Sequence, residues 1–278
     1  MASFTHYTNS LRKWFTYSKF LEENRTLKEK YKNQRCFVIG NGVSLNTQDI
    51  SKLKDEVTIV SNSFYKHPIL NYWQPTFYCI VDPIFFTEGT ITDTFLSELT
   101  TSVKKTNFIF PLLNKDIINT IPVLNNYKKN FVFYTPSLFH KSLAEKEIPI
   151  INFTKSIPGI QSVSQMGIML AIYVGCSPIY LIGMDHDWLK YAPDMNNERS
   201  YQHFYGDQII DDHVKTKYNH TFSYKEDMVN MVKLWEGYEN LLKYAQKNNT
   251  QIINATNNGY LDVFKRIDYD SLFWGDLE

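Results

Sequence analysis

Gly40-Asn41-Gly42-Val43-Ser44 follows directly on the apolar run Cys36–Ile39. Glycines where a strand gives way to a helix let a phosphate approach the backbone, and the helix N-terminus supplies N–H donors and positive potential. A plain tight turn carries the same sequence. The third glycine of G-x-G-x-x-G is absent, so a nicotinamide dinucleotide is not indicated, and the run is not a P-loop. Asp185-His186-Asp187 is a second cluster. Two carboxylates at a strand end can hold Mg²⁺. Equally, one acid can hydrogen-bond a ribose or sugar hydroxyl while the other caps a turn. His203 lies in the polar stretch Ser200-Tyr201-Gln202-His203-Phe204-Tyr205. A histidine there can serve as a general base near neutral pH. More commonly, a lone histidine in such a stretch is a surface residue.

The elements that must position these residues read as alternating strands and helices. Strands are predicted at 35–39, 57–60, 76–81, 107–110, 130–134, 178–183 and 251–254, each a short apolar run. Ser162 to Val174 has the length and pattern of a buried helix. Glu226 to Gln246 is a long amphipathic helix with Met228, Met231, Val232, Trp235, Tyr238, Leu241 and Leu242 on its apolar side. This alternation predicts an α/β fold with a mostly parallel sheet and helices on both faces. In open sheets of this kind ligands bind beyond the carboxyl ends of the strands. Those ends are Gly40-Asn41-Gly42, Asn62-Ser63, Asp82, Gly183 to Asp187, and Asn254-Ala255-Thr256. Residues 186–222 are polar, aromatic and histidine-rich, and read as a long lid-like loop over the site.

Residues 9–32 read as a helix with Leu11, Trp14, Phe15 and Leu21 on one face, interrupted by Ser18. The expected role is packing on the main domain. The alternative is a peripheral membrane contact through its basic and aromatic residues, against which Glu22, Glu23 and Glu29 count. Residues 1–32 are thus expected as a helical segment and 33–278 as one domain, with the lid at about 186–222.

Lys+Arg and Asp+Glu both number 29 in the 278 residues, so the chain lacks the basic excess of a nucleic-acid-binding protein. Hydrophobic residues at 43% and charged residues at 21% exclude a disordered chain. Aromatics reach 15%, which suits a ring-rich core and also a ligand cleft lined with Tyr and Trp. Cys36, Cys79 and Cys176 form no C-x-x-C pair. They indicate neither zinc nor a disulfide framework, and fit a reducing compartment. No signal-peptide pattern and no uninterrupted apolar stretch of spanning length is read, so a cytoplasmic location is expected, at the inner face of the membrane if the peripheral contact forms.

Several of these runs resemble one family. Cys36-Phe-Val-Ile-Gly-Asn-Gly-Val-Ser-Leu45 resembles the opening nucleotide-binding motif of the motility-accessory-factor and hydroxymethylpterin-diphosphokinase-like family, which is related in fold to the small bacterial CMP-sialic-acid sialyltransferases. Val60-Ser-Asn62-Ser-Phe64 is similar to the second-strand asparagine motif of the sialyltransferases, and Asp82-Pro83 stands where they carry Asn-Pro. Ser162-Val-Ser164 and Ile179-Tyr-Leu-Ile-Gly-Met-Asp185 are similar to their serine-bearing helix and Tyr-Leu-x-Gly-x-Asp strand. Ile253 to Gly259 with Phe264-Lys-Arg266 resembles the closing motif of the accessory-factor family.

The resemblance implies a Rossmann-like, glycosyltransferase-type domain that binds a nucleotide-activated sugar and acts in surface polysaccharide biosynthesis. On it, Gly40, Asn41, Gly42, Ser44, Asn62, Asp82, Ser162, Ser164 and Asp185 hold the donor, which is expected to be CMP-linked with a sialic-acid-like sugar. His203 takes the proton from a hydroxyl of the glycan acceptor, and Tyr201 and Tyr205 stabilise the departing phosphate. No metal and no other cofactor is required. The alternatives are a pterin-type pyrophosphokinase, with ATP and Mg²⁺ held by Asp185, Asp187 or Asp82, and a non-catalytic nucleotide- or glycan-binding module in which His203 is a surface residue.

Overall fold

A computed structural model describes residues 19–86, 90–137, 142–145, 150–188, 200–209 and 223–277. Among the described residues, eight parallel strands form one sheet in the order β10-β9-β6-β1-β2-β3-β4-β5. They are β1 (Cys36–Ile39), β2 (Val57–Ser61), β3 (Phe77–Cys79), β4 (Asn107–Pro111), β5 (Phe131–Tyr134), β6 (Ile179–Ile182), β9 (Ile252–Asn254) and β10 (Lys265–Arg266). A separate antiparallel hairpin pairs β7 (Ser200–His203) with β8 (Gly206–Ile209). The chain is therefore an α/β protein of Rossmann-like architecture, as its alternating pattern predicts.

The strands are apolar throughout because both faces of the sheet are covered. Side chains alternate across a strand. Cys36 and Val38 of β1 pack on one face, with Ile59, Cys79 and Ile109. Phe37 and Ile39 pack on the other, with Val60, Tyr78, Phe108 and Phe110. The first face is covered by the helices Val163–Tyr173 and Tyr224–Lys247. Val163–Tyr173 is apolar nearly all round because it is buried on nearly all sides. Its Gly167 lets it settle on β1, where an added Cβ would stand 2.6 Å from Val38 Cγ1. The second face is covered largely by short 3₁₀ turns and the helix Thr90–Ser102.

Three expectations need correction. The helix expected at 9–32 ends at Glu22 and gives way to a 3₁₀ turn, Glu23–Leu27, while residues 1–18 lie outside the described residues. Asn24 supplies the reason: its side-chain amide is buried and donates to the carbonyls of Phe133 (2.7 Å) and Phe153 (2.8 Å), which fixes the turn against β5. Second, Val43–Thr47 is a five-residue 3₁₀ turn and not the start of a long helix. Third, the described part of the lid, 200–209, is the β7–β8 hairpin and not an irregular loop. Among the described residues no helix is long and apolar enough to cross a membrane.

Candidate functional site

A cavity of about 760 Å³ opens beyond the carboxyl ends of β1, β2, β3, β5 and β6. β1 sits between β2 and β6, where the strand order reverses, the usual place for a ligand in an open parallel sheet. The volume falls within the range of small-molecule sites. The strand ends deliver Gly40, Asn41 and Gly42 from β1, Asn62 from β2, Asp82 beyond β3 and Asp185 beyond β6. Ser162 and Ser164, at the start of the helix Val163–Tyr173, line the same cavity, as does His203.

The glycine turn does a different job from the one its sequence suggests. Gly40 N–H donates to the Ile182 carbonyl (2.8 Å) and Gly42 N–H to the Gly183 carbonyl (3.0 Å). Ser44 N–H donates to Asp185 Oδ2 at 3.0 Å. These three amides are therefore spent on β6 and its following loop, and the expectation that they cradle a phosphate does not hold. The glycines are needed because the two strand ends touch. A Cβ at Gly40 would stand 2.3 Å from the Gly183 carbonyl oxygen, and one at Gly42 would stand 2.2 Å from Asp185 Oδ2. Asp185 is thus a buried brace of the turn as well as a wall of the cavity. Ser44 is buried beneath the turn and does not line the cavity.

The asparagines keep the character of ligand readers. Asn41 Nδ2 donates to the Ser61 carbonyl (3.1 Å), while Asn41 Oδ1 and Asn62 Oδ1 are buried and have no hydrogen-bond partner among the described residues. A buried polar atom without a partner is costly, and such atoms gather at functional sites. Asn62 also holds a left-handed backbone, φ +49°. Asn tolerates this conformation better than most residues. The polar end of β9 is structural instead. Asn254 Oδ1 accepts from Thr256 N–H (3.0 Å), and Thr256 Oγ1 accepts from Met184 N–H (3.1 Å), which pins the loop after β6.

The hairpin brings His203 in. Gly42 and His203 form an antiparallel bridge, and Phe204 N–H donates to the Asn41 carbonyl at 3.1 Å. Phe204 packs between Phe64 and His67. His203 Nδ1 lies 3.3 Å from the same Asn41 carbonyl, so Nδ1 carries the proton and Nε2 is left as the acceptor. Burial lowers the pKa of His203, while the Asn41 carbonyl and the Asp187 carboxylate act to raise it and Lys66 adds to the lowering. The imidazole is therefore neutral at neutral pH. Tyr205 does not line the cavity: its ring stacks on His203 at 4.8 Å, Lys66 Nζ sits 4.7 Å above it, and its hydroxyl bonds Ser63. The side chain of Tyr201 lies outside the described residues, as does His213, a further histidine of the 186–222 stretch that competes with His203 for the role of base.

Sequence reasoning named His186 and Asp187 but did not separate their roles. His186 is buried, with φ +50°, and packs against Trp188, Trp235 and Tyr238. Its Nε2 lies 2.7 Å from the Tyr238 hydroxyl. Burial pushes its pKa down to about 3, although the Met184 backbone acts to raise it. Tyr134, Pro158 and Trp188, which also line the cavity, carry no local motif that would have marked them.

Asp185 and Asp187, the candidate Mg²⁺ ligands of the pyrophosphokinase alternative, line the cavity together with Asp82. Among the described residues no group of three or more His, Cys, Asp or Glu is placed to bind an ion, and Asp185 Oδ2 accepts from the Ser44 amide.

The fold is that of a Rossmann-like α/β protein with a cavity at its strand-order switch point. The family described as 6-hydroxymethylpterin diphosphokinase MptE-like matches residues 8–190. The chain belongs to this MptE-like family. Among solved structures, the MAf glycosyltransferase from Magnetospirillum magneticum AMB-1 aligns over 91% of this chain and 39% of its own, at 14% identity and a TM-score of 0.52. The likeness is one of fold, and the chain spans 39% of the length of that protein. The sialyltransferase CstII from Campylobacter jejuni, solved with the substrate analogue CMP-3FNeuAc, aligns over 84% of this chain and 86% of its own, at 16% identity and a TM-score of 0.44. A search of curated proteins found no match.

Proposed function

We propose that the chain is a glycosyltransferase that moves a sugar from a nucleotide donor, CMP-linked in our reading, to a hydroxyl of a glycan acceptor. The observation that carries the proposal is the meeting of a neutral histidine and two buried, unpartnered amide oxygens in one cavity. His203 Nε2 takes the proton of the acceptor hydroxyl. The hydroxyl oxygen forms the new bond to the anomeric carbon as the bond from that carbon to the donor phosphate oxygen breaks. The phosphate leaves with the electron pair. A positioned base of this kind contributes roughly 10²–10⁴-fold. Asn41 and Asn62 hold the donor, since their Oδ1 atoms gain partners only when a ligand arrives. His186 is a poor rival for the base, because its Nε2 is engaged by the Tyr238 hydroxyl and burial makes its imidazole a very weak base. Tyr205 supports His203 from behind and does not contact the phosphate. The proposal requires no resident metal. The histidine lines the cavity and is partly buried, which sets the proposal apart from a binding module with a surface histidine.

The family description favours a second reading, pyrophosphoryl transfer from ATP to a pterin-like alcohol. A thermal-shift panel of CMP, CDP, UMP, UDP, GDP and ATP separates the two, because a ligand of the native state raises apparent stability. Stabilisation by CMP and its sugar conjugates supports glycosyl transfer. Stabilisation by ATP alone overturns it.

A further inference from the structure

A buried tyrosine hydroxyl is normally bonded, because water can no longer serve it. Tyr65, Tyr78, Tyr127, Tyr173, Tyr238 and Tyr269 are buried and obey this rule. Each of these hydroxyls has a partner inside the protein, between 2.6 and 3.0 Å away. Tyr134 departs from it. It is only 6% exposed, it belongs to the core of the first sheet face, and it lines the cavity. Its hydroxyl makes no hydrogen bond among the described residues. Burial raises the pKa of this phenol, and Cys79 and Asp82 add to the rise, so it keeps its proton at neutral pH. The backbone holds it in place. Tyr134 closes β5 opposite Pro111 of β4. Just beyond it, Ile157 N–H donates to the Thr135 carbonyl (3.0 Å) and Ser137 N–H to the Ile157 carbonyl (2.7 Å).

The surroundings narrow what this hydroxyl can meet. Val81 beyond β3, and Pro136 and Pro158 beyond β5, give this half of the cavity apolar walls. Asp82 stands on the same half, and among the described residues no Lys or Arg lines the cavity. A phosphate there would face a carboxylate with no cation to offset it. The order β1-β2-β3-β4-β5 puts Tyr134 four strands away from β1, to whose turn His203 is tied. At about 4.8 Å per strand, the two strand ends are roughly 19 Å apart. We propose that Tyr134 is a specificity-determining residue whose hydroxyl donates to a neutral acceptor on the part of the substrate that lies away from the reacting bond. A hydroxyl, an amide carbonyl or a ring nitrogen fits, and a phosphate oxygen does not. Within the proposed reaction, on which this assignment of a substrate part rests, that acceptor belongs to the nucleobase or to the far side of the transferred sugar.

Tyr134→Phe removes the hydroxyl and keeps the ring. In the ligand-free protein its unfolding midpoint is expected to hold or rise, because no internal hydrogen bond is lost. A lower midpoint means that the hydroxyl serves the fold, and overturns the proposal. Binding calorimetry with CMP, CMP-N-acetylneuraminate, ATP and inorganic phosphate tests the contact itself. The variant is expected to bind the sugar nucleotide about tenfold more weakly and to leave phosphate unchanged. Equal weakening of CMP and its sugar conjugate supports a contact with the base, and weakening of the conjugate alone supports a contact with the sugar. Unchanged binding of both, or weaker binding of phosphate, overturns the proposal. If the parent protein binds neither CMP nor its conjugate, the nucleotide-sugar reading fails and ATP decides the role of Tyr134. Weaker ATP binding by the variant then upholds the subsite, and unchanged binding overturns it.

Discussion

His203 and His186 show how one side chain acquires two fates from its surroundings. At His203 the imidazole is anchored through Nδ1 to the Asn41 carbonyl and keeps an acceptor nitrogen. His203→Ala is expected to lower kcat by at least about 10²-fold with little change in donor affinity, because a base acts in the transition state. Burial lowers its pKa below the ordinary 6.5, so the base stays active as pH falls to that value and is lost only below it. The acid limb of kcat/KM should therefore lie under pH 6.5, and a limb above it would exclude this histidine. At His186 burial acts on stability. Its folded pKa of about 3 lies beneath the unfolded 6.5, so between these values the unfolded chain binds more protons. Stability is full above pH 6.5 and falls as pH drops, by roughly 1.4 kcal/mol per pH unit for such a group. Denaturant melts from pH 7 to pH 4 should show a shallower fall in His186→Asn than in the parent, and equal slopes would clear His186 of this role.

The turn after β1 and the end of β2 act as elements. Gly42 has φ −63°, open to any residue, so its need for glycine is contact and not conformation. Gly42→Ala should cost about 1–3 kcal/mol by displacing Asp185 from the Ser44 amide. In Asp185→Ala that bond is already gone and the Gly183 carbonyl oxygen, 2.7 Å from the added Cβ, is the remaining obstacle, so adding Gly42→Ala should cost less there than in the parent. Additive losses in a double-mutant cycle would show that the turn and Asp185 are independent. At the end of β2, Asn62→Gly accepts the left-handed backbone and removes the amide. Donor affinity should fall by about 1–3 kcal/mol while the unfolding midpoint holds. Normal donor binding in a folded Asn62→Gly variant would take β2 out of the site.

Across the whole molecule, one sheet carries a site assembled from strands far apart in sequence, closed by a hairpin docked on the glycine turn. In the proposed reaction the transition-state charge sits on a departing phosphate and no resident metal is required. Glycosyl transfer measured with EDTA present should therefore match the rate without it. Complete loss on chelation, restored by Mg²⁺, would favour pyrophosphoryl transfer, whose transition state a metal stabilises.

The sequence by itself determined the parallel sheet. Strands buried on both faces must be apolar at every position, and runs such as Cys36–Ile39 and Ile179–Ile182 announce themselves. It also located the site to the strand ends, because parallel strands put their polar exits on one edge. The two-residue β10 was too short to carry any pattern, and the β7–β8 hairpin was hidden in a stretch of mixed polarity. Local motif reading could not foresee that Gly40 and Gly42 serve β6, since the atoms they make room for lie about 140 residues away. Nor could it separate His186 from His203. His186 follows β6 and His203 ends β7, and both stand in polar sequence. The packing of distant elements puts a tyrosine hydroxyl on Nε2 of the first and leaves the second with an acceptor nitrogen beside the cavity.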